Sequence, residues 1–245
     1  MKDLFPYGLD APPVVRNLSL AALVCWLMFG LSFTTWLPIT ISGLIWPSLS
    51  FSFGAVTMMW SSGVGKLRRR EQLLDRLTWQ GTERVLDIGC GRGLMAVAAA
   101  RRVPRGRVVG IDIWQSEDLS GNGADAVAAN AVREGVADRV TTQTADMREL
   151  PFDAGSMDIV VSSVAIHNIY QVEGRDRAVD EIVRVLAPCG QVLIDDIRHV
   201  PQYAERLRAA GFDITLNRGM DSWFWRLVSF GSLAPGTVIG RKSSL

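Results

Sequence analysis

From Asn17 to Gly65 the chain carries no Lys, Arg, Asp, Glu or His. A helix at a water-facing surface needs charged or polar residues on its outer side. This run of 49 residues has no charge to offer, so its helices need apolar surroundings. One membrane-spanning helix takes ~20 apolar residues, and the run is long enough for two. The expected spans are Asn17–Leu37 and Gly43–Trp60, joined by a turn over Pro38–Gly43. Pro47 is expected to kink the second helix or to sit in its first turn. Lys2 and Arg16 precede the run, while Lys66, Arg68, Arg69 and Arg70 follow it. Positive residues stay on the cytoplasmic side, so a hairpin of two spans leaves both ends in the cytoplasm. Trp36, Trp46 and Trp60 suit interfacial positions, and the basic run suits membrane lipids with anionic head groups, at ~1 kcal/mol per residue. A cleaved signal peptide has a far shorter core, of ~7–15 residues. A hairpin buried in a soluble domain and a re-entrant hairpin stay open as alternatives.

From Lys66 onward the composition is ordinary, which divides the chain into an anchoring hairpin over 1–65 and a globular domain over 66–245. Lys plus Arg (26) nearly balance Asp plus Glu (25), so no basic excess points to nucleic acid as a partner. Cys25, Cys90 and Cys189 are odd in number and far apart, which suits neither a disulfide framework nor zinc. His167 and His199 are the only histidines, so no metal is expected.

Strands and helices alternate through the second part. Apolar strands are expected from Arg84, at Arg107–Asp112, Arg139–Gln143, Met157–Ser162, Gly190–Asp196, Phe212–Leu216 and Gly236–Arg241. Helices fit Ala124–Glu134, Arg175–Leu186 and Pro201–Ala210, and Ala187–Gly190 reads as a turn. The pattern predicts an α/β fold: a doubly wound, mostly parallel seven-stranded sheet. Such sheets bind ligands beyond the carboxyl ends of their strands.

The first strand runs into Asp87-Ile88-Gly89-Cys90-Gly91-Arg92-Gly93, and a helix opens at Leu94. Glycine permits both a sharp strand-to-helix turn and a close approach of backbone to a ligand. A dinucleotide loop prefers G-x-G-x-x-G; here the third glycine comes one residue early. A carboxylate at Asp87 would repel a pyrophosphate and suits a ligand bearing an ammonium group.

This segment resembles the first motif of the class I S-adenosylmethionine-dependent methyltransferases. Asp112, 25 residues beyond Asp87, is similar to the acid that holds the ribose hydroxyls in that family. Thr144-Ala145-Asp146-Met147 resembles the segment whose acid lies by the adenine amino group and whose next residue caps the ring. Met157–Ser163 and Arg184–Gly190 resemble two further family segments, and the likeness covers Glu71–Lys242. It implies a Rossmann-like methyltransferase fold and S-adenosylmethionine as cofactor. The residues carried over as its contacts are Asp87, Gly89, Cys90, Gly91, Gly93, Asp112, Ile113, Trp114, Asp146, Met147 and Ser162. Helix capping by Asp112 or Asp146, and packing of Trp114 on the sheet edge, are the alternative readings.

The fourth strand does not lead into Asn-Pro-Pro-Tyr, which argues against nucleobase or glutamine amino groups as acceptors. It continues to His167, a candidate to take a proton from a hydroxyl or thiol, or a residue that shapes the pocket. His199, Asp195 and Asp196 are further candidates, and Ser120, Gly121 and Asn122 suit a lid. The aromatic stretch Trp223–Phe230 fits an apolar acceptor pocket, the bilayer, or a sheet edge. The expected function is methyl transfer to a small-molecule or lipid-like acceptor at the cytoplasmic membrane surface. A membrane-tethered scaffold without catalysis and an NAD-dependent oxidoreductase are its rivals.

Overall fold

The computed structural model describes residues 5–33, 42–115, 121–217 and 234–244. The chain divides into two compact units: Met1–Arg68 with Gln115–Gly121, and Arg69–Trp114 with Asn122–Leu245.

In the first unit, helix α1 spans Pro12–Leu31 and helix α2 spans Ile45–Trp60. Prolines at the start of α1 lack the N–H that a first turn leaves unsatisfied. Pro47 lies in the first turn of α2, so the helix is not interrupted there. One turn of π-helix, Ser61–Gly65, carries α2 into helix α3 (Lys66–Leu74). The first helix begins and ends earlier than the apolar run suggests. The expected turn lies almost wholly outside the described residues. Alone among the described helices, α1 is long and apolar enough to cross a membrane. Where the two helices meet, the residues are small: Ala22, Ser48 and Ala55 are buried. A Cβ on Gly54 would lie 3.5 Å from Leu18. Large apolar side chains point outward, among them Leu23, Leu27, Trp46, Phe53 and Trp60.

The second unit is built on a seven-stranded sheet: β1 (Arg84–Ile88), β2 (Arg107–Asp112), β3 (Val140–Thr144), β4 (Met157–Ser163), β5 (Leu186–Asp196), β6 (Phe212–Asn217) and β7 (Gly236–Lys242). Its order is β3-β2-β1-β4-β5-β7-β6. Central strands rich in Val, Ile and Leu are buried because helices cover both faces. On one face pack α3, α4 (Leu94–Arg102) and α5 (Ala124–Arg133). The other face takes α6 (Val172–Val185) and α7 (Val200–Ala209). In α4, Ala96 and Ala98–Ala100 are fully buried, and these small side chains let that helix lie close to the sheet. The edge strand β3 is Thr- and Gln-rich and half exposed, as an edge should be.

The sheet is mostly parallel, as expected, with one reversal: β7 lies between β5 and β6 and runs antiparallel to both. Two expectations need correction. The turn at Ala187–Gly190 is a bulge inside β5, with pairing that jumps from Met157–Leu186 to Ile159–Gln191. Cys189 takes φ 61° within it. Helix α6 begins at Val172 rather than Arg175, because Gly174 is part of its first turn and sits against Ile169.

Candidate active site

The strand order reverses direction between β1 and β4, which opens a crevice at their carboxyl ends. The loop after β1 enters it. Gly89 has φ 69° and Gly93 φ 80°, values that side-chain-bearing residues rarely adopt. Their missing side chains also make room for protein. A Cβ on Gly89 would collide with Ala165, and one on Gly93 would come within 2.8 Å of Val127. The close approach demanded at these two positions is therefore to the loop after β4 and to α5. This packing role adds to the sharp turn and the ligand approach expected of these glycines.

The loop is tied to β2. Gly89 and Cys90 donate their N–H groups to Ile111 O at 2.9 and 3.0 Å. Gly91 N–H donates to Asp112 Oδ2 at 2.8 Å, and Trp114 N–H to Asp112 Oδ1 at 2.7 Å. The Cys90 thiol is buried against Gly110, and burial with the nearby charges of Asp87 and Asp112 pushes its pKa up. Its thiol is thus an unreactive core group, and any contact with a ligand falls to its backbone.

Asp87 is 1% exposed, and its Oδ2 accepts the Ala96 N–H at 2.8 Å. Burial pushes its pKa up to about 7; the Ala96 hydrogen bond opposes this, and the charge of Asp112 adds to it. Among the described residues, neither Asp87 nor Asp112 has a Lys or Arg partner.

Ile113 is exposed beyond Asp112. Trp114 takes φ 60°, and its Nε1 donates to Thr144 Oγ1 at 2.8 Å, which places the ring over the ends of β2 and β3. Met147 packs at the edge of the core, with its Cε 3.8 Å from the Cβ position of Gly89. The Asp146 carboxylate pairs with Arg148 at 2.6 Å, and that hydrogen bond lowers its pKa. Ser162 is buried, and its hydroxyl donates to Ile88 O at 3.0 Å, bracing β4 against β1.

After β4 the chain turns through Val164, at φ 53°, held by its N–H donating to Asp195 O at 2.8 Å. His167 follows in a short 3-10 turn, Ile166–Asn168. His199 starts α7 at φ 61°, and burial, together with the charge of Arg175, lowers its pKa. Trp114, Val164 and His199 thus all adopt left-handed backbone directly beyond the carboxyl ends of β2, β4 and β5. Strain of this kind costs ~1–3 kcal/mol per residue and gathers at functional sites.

Several participants have no signal in the sequence. Arg69 on α3 makes a two-pronged pair with Asp195, at 3.0 Å (Nε) and 2.6 Å (Nη2), and Thr237 Oγ1 donates to the same carboxylate at 2.7 Å. Thr237 and Tyr203 join only through folding. Of the expected lid, Ser120 lies outside the described residues while Gly121 and Asn122 lie within them, and the stretch 223–230 lies outside them.

Comparison with known proteins agrees with this geometry. Residues 85–190 match the family model described as a methyltransferase domain. The methyltransferase GfsG of Streptomyces halstedii is 34% identical over 130 residues, 53% of this chain and 43% of that protein. The ubiquinone/menaquinone biosynthesis C-methyltransferase UbiE of Geobacter sulfurreducens is 32% identical over 135 residues, 55% of this chain and 49% of that one. The chain spans about half the length of the curated relatives it matches. A SAM dependent methyltransferase from Aquifex aeolicus shares the fold, with a TM-score of 0.54 at 16% identity, covering 72% of this chain and 90% of that one.

Proposed function

We propose, from the premise that residues 85–190 are an S-adenosylmethionine-dependent methyltransferase domain, that the whole chain methylates a small-molecule or lipid-like acceptor at the cytoplasmic face of a membrane. The observation that carries the reading is the pair Asp87 and Asp112. Two carboxylates that have no cationic partner among the described residues border one glycine loop, and like charges would repel a pyrophosphate. They suit a cationic ligand rich in hydroxyl groups. Asp112 keeps lone pairs for ribose hydroxyls while its backbone contacts hold the loop. Asp87 faces the amino-acid end, with the backbone of Gly89, Cys90, Gly91 and Gly93 alongside. Ile113, Trp114 and Met147 supply apolar surface for adenine, Asp146 an acceptor for its amino group, and Ser162 keeps β4 in place beneath. When bound, S-adenosylmethionine supplies an electrophilic methyl group. His167 stands on the acceptor side as the proton acceptor.

The membrane part rests on the first unit. Small residues packed inward and large apolar ones facing out invert the order of a water-soluble helix pair, and they suit helices packed in lipid. Ser19, Ser32 and Ser48 donate to carbonyls of their own helix, which satisfies their hydroxyls without water. Helix α2 with the π-turn supplies an uncharged helical run from Ile45 to Gly65, which supports a second span. The 1–65 and 66–245 division then separates anchor from catalyst. A lipid-like acceptor would explain the anchor, and the UbiE relative is named for quinone biosynthesis.

Calorimetric titration of the purified protein with S-adenosylhomocysteine and with NAD tests the cofactor. Binding of NAD alone would end the methyltransferase reading. Incubation with labelled S-adenosylmethionine and membrane extract then tests the acceptor: label is expected in the lipid fraction. Label in the aqueous fraction would exclude a lipid, and label in neither would favour a scaffold.

A further inference from the structure

Two buried side-chain atoms near the end of β5, His167 Nδ1 and Tyr203 Oη, lack a hydrogen-bond partner among the described residues. Both belong to residues under the influence of one carboxylate, Asp196. That residue is 3% exposed. Its Oδ2 accepts the backbone N–H of His167 at 3.1 Å, and its Oδ1 accepts that of Ile197 at 2.7 Å. Oδ1 also lies 2.6 Å from His167 Nδ1. The separation is that of a charge-assisted pair. The ring N–H points off the oxygen, however, so the contact in this conformation is electrostatic rather than a directed hydrogen bond.

The other charged or titratable groups near Asp196 come from α6, α7 and the loop before α7, which holds Arg198 and His199. Arg175 donates to the carbonyls of Ile169 and Tyr170 at 2.7 and 2.8 Å. His199 and Tyr203 feel the charge of Asp196, but no hydrogen bond joins either to it. Among the described residues, His167 is thus the one ionisable side chain in contact with this carboxylate. A carboxylate that grips both the main chain and the ring of a histidine fixes where that histidine sits and which nitrogen bears its proton.

We propose that Asp196 is the positioning residue of His167: it holds the proton on Nδ1 and leaves the Nε2 lone pair for the acceptor. The inference rests on reading His167 as the acceptor-side base. As the acceptor's electron pair forms the new bond to the methyl carbon, the carbon–sulfur bond would break with its pair left on the sulfur; the acceptor's proton passes to Nε2, and the imidazolium so formed faces the Asp196 charge.

The chain has only two histidines, so nitrogen-15 NMR of histidine-labelled protein reads both, with His199→Gln separating the signals. At about pH 8, where an ordinary histidine is neutral, His167 is expected as the Nδ1–H tautomer. Asp196→Asn keeps a carbonyl for the backbone donors and is expected to shift the ring towards Nε2–H. It is also expected to slow label transfer in membrane extract by ~10²-fold or more, with S-adenosylhomocysteine affinity within about twofold of wild type, as for a group remote from the cofactor. A wild-type His167 found as Nε2–H overturns the proposal, whether or not the variant folds. An unchanged tautomer and rate in a folded Asp196→Asn overturns it too. Failure of the wild-type protein to bind S-adenosylhomocysteine would instead strike the methyltransferase reading, since the tautomer is measured without cofactor.

Discussion

The binding role proposed for Asp87 comes at the cost of stability. Its pKa of about 7 lies above the ordinary 3.8. A carboxyl raised in this way binds more protons folded than unfolded between those values, so its contribution to stability is full below ~4 and is lost as pH rises to ~7. The penalty at higher pH is on the order of a few kcal/mol. Asp87→Asn keeps an oxygen for the Ala96 N–H and removes the charge. Without cofactor, this variant is expected to melt higher than wild type at about pH 8 and alike at about pH 4, while binding S-adenosylhomocysteine more weakly. A variant that melts lower at the alkaline end would show the charge to be compensated. The location of Asp87 and Asp112 was legible in the sequence, because Asp87 comes two residues before the glycine loop and Asp112 ends an apolar strand. The left-handed backbone at Val164 was not: a β-branched residue is among the least suited to it, and only the hydrogen bond to Asp195 O explains how it is held.

Elements are joined by contacts that no local pattern announces. Helix α3 is fastened to the ends of β5 and β7 by Arg69, Asp195 and Thr237, and Arg69 and Asp195 are 126 residues apart in the chain. Arg69 is 55% exposed and Asp195 5%. Arg69→Ala therefore leaves a buried carboxylate with the Thr237 hydroxyl, at a cost of roughly 1–3 kcal/mol, less than for a fully buried pair. Amide exchange across residues 66–74 is expected to quicken in that variant. Unchanged exchange would mean that packing of Leu73 and Leu74 suffices to hold the helix. The strands themselves could be read from their apolar runs, except for direction. Hydrophobic alternation is the same for a parallel and an antiparallel strand, so the reversal of β7 left no trace in its residues. Gly174 hid the true start of α6 for a similar reason: a glycine reads as a break until its packing against Ile169 is seen.

For the molecule as a whole, the three cysteines serve as reporters. Cys25 lies on α1, Cys90 is buried, and Cys189 is exposed on the second unit. In membrane vesicles with the cytoplasmic face outward, a water-soluble maleimide is expected to label Cys189 at once. Cys25 should react only after detergent is added. Prompt labelling of Cys25 would place α1 in water and remove the anchor. The division into an uncharged part and an ordinary part was plain from composition, since charge is a local property of the sequence. The helix pair's inverted packing was not, because it depends on which residues face each other. That packing also has a thermodynamic consequence. In the lipid setting proposed above, helices joined through Ala22, Ser48, Gly54 and Ala55 would owe their association to close van der Waals contact rather than to the release of water. Separating them exposes little new apolar surface to solvent, and the heat capacity of unfolding follows that surface. The heat-capacity increment of this chain is therefore set by its second unit, and it falls short of the value its full length would suggest.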